Sequence, residues 1–128
     1  MVIKDTKGMY ILRVDEINKV VYEYVEGYFE KDDYSRYHKD FKENILPIMK
    51  KHPWVKCIDL KKYEVSDITE EICKHIDWAN ENGLALLIAI VDNSIVKLQL
   101  KRKNCPSLLI VKSQEEAENH LKSMGFLS

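Results

Sequence analysis

The sequence predicts an α/β fold, one mixed and mostly parallel sheet covered by about four helices, in a single domain. Three observations carry that expectation. Short runs rich in β-branched residues alternate along the chain with stretches in which apolar residues recur every three or four positions. The first two of these runs are adjacent and hairpin-like, which calls for an antiparallel start. The stretch Leu84 to Val91 is almost unbroken in its apolarity, as in a strand buried on both faces of a parallel sheet.

Taken in order, Met9 to Val14 and Val20 to Val25 flank the turn-like Asp15 to Lys19 and read as a β-hairpin. Residues 1–8 are left as an N-terminal extension, and residues 9–126 as the α/β domain. The Met9 to Val14 strand carries one charge, Arg13, and is expected at an open edge that a second copy of the chain could pair with. After Gly27, residues Tyr34, Tyr37, Phe41, Ile45, Ile48 and Met49 mark one face of a helix, which Asp32 or Asp33 is placed to cap. Pro47 lies within that pattern. Lacking an amide and clashing with the preceding turn, it should kink the helix or start a short second turn near Leu46.

Val55, Cys57, Ile58 and Leu60 form a short central strand. Asp67 and Glu70 have capping-box spacing ahead of the stripe Ile68, Ile72, Ile76 and Ala79, which ends at Gly83. Residues 94–103 admit two patterns: Val96, Leu98 and Leu100 alternate as in a strand, while Ile95, Leu98 and Arg102 suit a helix. Helix is preferred because it keeps a βαβ rhythm with the strands on either side. Leu108 to Val111 is a further strand, and Ser113 to Glu116 is a second capping box opening a helix with Ala117, Leu121 and Met124 on its apolar stripe. The expected order is β-β-α-β-α-β-α-β-α.

Composition narrows the function classes. The 128 residues carry 20 Lys+Arg and 21 Asp+Glu with the signs interleaved, so there is no positive field for nucleic acid. The most basic stretch, Lys101-Arg102-Lys103, reads as a solvated face. Cys57, Cys73 and Cys105 give neither a disulfide framework nor a zinc pattern. His38, His52, His75 and His120 lack ligand spacing, so neither a metal nor another cofactor is expected. The start of the chain lacks a signal-peptide pattern and no apolar run is long enough to cross a bilayer, so the expected setting is the cytoplasm. Abundant lysine and isoleucine suggest a bacterial source.

No nucleophile elbow, Cys–His signature or glycine-rich phosphate loop is present, and the four glycines are isolated. Acidic pairs stand at helix starts, where they complement the dipole. An enzyme is therefore the weakest class.

Three stretches, Val25-Glu26-Gly27-Tyr28-Phe29, Ile58-Asp59-Leu60 and Ser113-Gln114-Glu115-Glu116-Ala117, taken with the element order, resemble the STAS domain family over residues 9–126. That is the fold of anti-sigma-factor antagonists and of sulfate-transporter tails. The resemblance implies a regulatory module that binds a protein partner or its own copy. In the antagonists an Asp-Ser-Ser-Gly motif opens the helix after the Asp-Leu strand, and its serine is phosphorylated. Here the motif's aspartate falls on Asp67 and Ile68 holds the acceptor position, with Ser66 and Thr69 on either side, as in a divergent member.

Two candidate sites follow. Ser66, Asp67 and Thr69 form a regulatory or docking edge, where an added phosphate would meet a helix N-terminus; plain capping by Asp67 is the simpler role. Tyr34, Tyr37 and Phe41 could wall a pocket for a small apolar molecule or lipid; ordinary core packing is the simpler role there.

Overall fold

The computed structural model describes residues 1–49, 52–102, 105 and 107–127. Among these residues six strands form one sheet in sequence order: β1 (Val2–Lys4), β2 (Tyr10–Asp15), β3 (Val20–Tyr28), β4 (Trp54–Glu64), β5 (Leu84–Ile90) and β6 (Leu108–Val111). β1 and β2 pair antiparallel, as do β2 and β3, whereas β3 through β6 pair parallel. Only β2 therefore runs against the rest, and the mixed α/β sheet predicted from sequence is what forms.

The stretch expected to be an extension contributes β1, which pairs Val2 with Arg13 and Lys4 with Ile11. Three residues are too few to show a period, but they satisfy the outer backbone of β2. The Met9 to Val14 strand is thus internal, and the seam expected there for a second copy is closed. The connecting turn is fixed by Asp5, whose carboxylate accepts the Met9 amide at 3.0 Å and takes a two-pronged contact from Arg36 at 2.9 and 3.1 Å.

Helix α1 (Lys31–Asp40) runs through a π-turn (Phe41–Ile45) into α2 (Leu46–Met49). Asp33 takes the inner capping position, accepting the Glu30 amide at 2.8 Å. The Leu46 amide reaches back five residues to the Phe41 carbonyl, and the next residue is Pro47, which has no amide to place. The proline's disruption appears as this widened turn rather than a break. Helix α4 (Ser94–Lys101) bears out the helical reading as far as Lys101, with Arg102 its C-cap and residue 103 outside the described set, and Asn93 caps it through Ile95 and Val96. Helix α5 (Gln114–Ser123) is capped by Ser113 as the sequence indicates, the Glu116 amide donating to its hydroxyl at 3.1 Å. Met124, expected on the stripe, lies past the helix end and is exposed.

Helix α3 (Thr69–Glu81) departs from expectation at its start. Its N-cap is Ile68, with no side-chain cap bond, and Asp67 is exposed one residue outside. Ile68 is drawn into the cap position because its side chain is buried in the core.

The core has two layers. On one face of the sheet, Leu12, Val21, Trp54 and Leu87 pack with Phe41 and Ile45 of the π-turn, Ile76 of α3 and Val96 of α4. On the other, Val55, Cys57, Leu86 and Ile88 pack with Ala117 and Leu121 of α5.

Candidate functional site

Side chains alternate across a strand, so Val21, Glu23 and Val25 of β3 share a face, as do Trp54, Lys56 and Ile58 of β4. These faces look into the first core layer, and two of the six positions carry charge. The parallel register sets Glu23 beside Ile58 and Val21 beside Lys56, leaving Glu23 and Lys56 as diagonal neighbours. Their ion pair closes at 3.2 Å with both side chains essentially without solvent contact.

Helices α1 and α3 complete the group. Lys56 Nζ donates to Tyr37 Oη at 2.7 Å and lies 2.8 Å from His75 Nε2. Tyr37 in turn donates to Glu23 Oε1. His75 Nδ1 is 2.8 Å from Nδ1 of His38, which stands edge-on to Trp78. Phe41 lies under the ammonium, its ring centre 3.8 Å from Nζ, in cation–π geometry. Glu23 Oε2 meets Lys56 Nζ in this ion pair and has no other hydrogen-bond partner among the described residues.

Proton positions follow from valence. A lysine ammonium has no acceptor, so His75 must accept at Nε2 and carry its own proton on Nδ1. His38 then accepts at Nδ1 and holds its proton on Nε2. Glu23, Tyr37, Lys56, His75 and His38 thus form a continuous relay from a buried carboxylate to a half-buried imidazole.

Burial dominates the electrostatics. It draws Lys56 down to about 8, against the opposing pull of Glu23. It raises the Glu23 carboxyl above its ordinary range despite the lysine beside it. It also holds His75 well below the usual imidazole range, an effect that the Lys56 charge reinforces. Tyr37 is pushed well above the ordinary phenol range, by burial first and then by Glu23.

Two hollows meet at this group. An inner cavity of about 60 Å³ is lined by Lys56, Tyr37, His75, Tyr63 and Gln99 together with apolar side chains such as Ile72 and Leu87. An outer cleft of about 340 Å³ between α1 and α3 is lined by His38, Lys39, Lys42, Glu71 and Lys74. Tyr34 and His75 line both, so they form the partition.

Of the aromatic residues singled out from sequence, Tyr34 and Tyr37 line the cavity, while Phe41 is buried behind Lys56 and does not. At the α3 start, Ser66 is buried and its hydroxyl donates to the Phe29 carbonyl at 2.5 Å. Gln99 Nε2 donates to the Ser66 carbonyl at 2.9 Å and to Thr69 Oγ1 at 3.2 Å. Gln99 Oε1 accepts from Tyr63 at 2.9 Å, so a residue of the cavity wall grips this helix start. Asp67 alone of the three faces solvent. The sequence reading passed over Glu23 and Lys56. The available signal was a charge at the inward phase of each of two alternating strands.

Among the described residues no group of three or more His, Cys, Asp or Glu is placed to hold a metal ion, and no helix is long and apolar enough to cross a membrane. Cys57 is buried and its thiol is pushed up to about 12, chiefly by burial. A comparison with protein-family models and a search of curated proteins found no match.

Proposed function

We propose that the chain is a STAS-like, non-enzymatic regulatory module of the bacterial cytoplasm whose input is a compact ligand bound against Lys56. The observation that carries this reading is the buried Glu23–Lys56 pair, with its lysine in the wall of a cavity. Apolar residues of similar volume commonly serve stability as well as a buried ion pair, or better. Keeping a charge at the wall of a cavity therefore calls for a reason beyond stability, and a ligand supplies one.

Size limits the ligand. A water needs about 10–15 Å³ of such space, so the cavity takes about four waters or a ligand of about four heavy atoms. A lipid chain or drug-sized molecule needs several hundred Å³. The protein-docking reading joins this one through Gln99, which touches the cavity and holds the α3 start where Asp67 is exposed. Occupancy would be read by a partner, or by a second copy, at that edge.

Titration of the whole chain with formate, acetate, acetamide and acetone, followed through the ring signals of His75 and the Lys56 side chain, tests the reading. A saturable shift with at least one probe is expected. No shift with any of the four would overturn it.

A further inference from the structure

Resting on that reading of the cavity, we propose that its ligand is a small neutral aldehyde or ketone, which Lys56 captures covalently as an iminium. The choice of a carbonyl compound comes from the surroundings of Nζ. Glu23 Oε2 stands 3.2 Å away and would repel an anion, while Val25, Leu60, Ile72, Ile76 and Leu87 of the wall suit an uncharged ligand. An amine in a desolvated pocket beside proton-transfer groups is the arrangement that forms Schiff bases.

The groups present balance the step. His75 Nε2, already 2.8 Å from Nζ, takes one ammonium proton while its Nδ1 proton passes to His38 and on toward the outer cleft. The freed lone pair forms a bond to the carbonyl carbon, and the carbonyl oxygen is protonated by a proton returning along the same relay. The resulting carbinolamine keeps its nitrogen, loses its oxygen as water with one further proton from nitrogen, and leaves a protonated imine. Ammonium and aldehyde thus become iminium and water with no net change of charge. Glu23 remains the counter-ion throughout, and Tyr37, which donates to Glu23 and accepts from Nζ, holds the pair in line. The ligand reaches Lys56 past Tyr34 and His75, the residues common to both hollows.

Acetaldehyde at limiting concentration with sodium cyanoborohydride, applied to the whole chain and followed by peptide mass mapping, tests the proposal. Lys56 should acquire an ethyl group at least about tenfold faster than exposed Lys101, since burial holds its amine near 8 and a proton acceptor stands 2.8 Å from it. Ethylation confined to exposed lysines, or Lys56 labelled no faster than Lys101, would overturn it. Acetamide, close in size but unable to condense with the amine, separates the two claims. If acetamide shifts the His75 signals while Lys56 resists acetaldehyde, covalent capture falls and the ligand site stands. If Lys56 resists acetaldehyde and none of formate, acetate, acetamide and acetone shifts the His75 signals, both fall.

Discussion

Lys56→Met leaves the Glu23 carboxylate in the core without its cation, and the expected loss is about 3–5 kcal/mol by urea unfolding. Adding Glu23→Leu to it should recover much of that loss, because the stranded charge goes as well. His75 sets an acid limit. Its folded value lies well below 6.5, so below pH 6.5 the unfolded chain binds a proton that the native chain refuses, and stability falls as pH drops through that window. Glu23, raised above 4.5, partly offsets this, because the native state there holds the extra proton. In His75→Gln the acid loss should be shallower by up to about 1.4 kcal/mol per pH unit, measured by urea unfolding at a series of pH values. The aromatic residues of this group were legible from helical spacing. The charged ones were not, because Glu23 and Lys56 lie on strands far apart in sequence and only the parallel register of β3 and β4 makes them neighbours.

At the level of elements, the two predicted capping boxes separate cleanly. Ser113→Ala removes a hydroxyl that accepts the Glu116 amide and should cost about 1 kcal/mol. Asp67→Ala removes an exposed side chain outside α3 and should change stability by less than about 0.5 kcal/mol, the difference being read by thermal or urea unfolding. The two motifs look alike in sequence, and what separates them is the burial of Ile68, a tertiary effect that spacing cannot report. Gly83 before β5 was legible as a helix stop, and the structure adds a second constraint. At φ +99° a Cβ would stand 3.0 Å from the His52 carbonyl oxygen, so Gly83→Ala should destabilise by more than the roughly 1 kcal/mol of a backbone effect alone. The strands β2 to β6 followed from composition and period, whereas β1 is too short to show either.

For the whole molecule, the sheet order and the two core layers leave the polar group on one side only, between β3, β4, α1 and α3. Gln99 of α4 ties that side to the exposed α3 start through the Ser66 carbonyl and Thr69. On the proposed reading, occupancy of the inner cavity is felt at this edge. The most direct measurement is an amide titration with acetamide in the native chain and in Gln99→Leu, read at His75 and at residues 67–69. Shifts at both places with one saturation curve, reduced at residues 67–69 alone in the variant, are the predicted result. Binding that moves His75 while residues 67–69 stay unchanged in the native chain would contradict it.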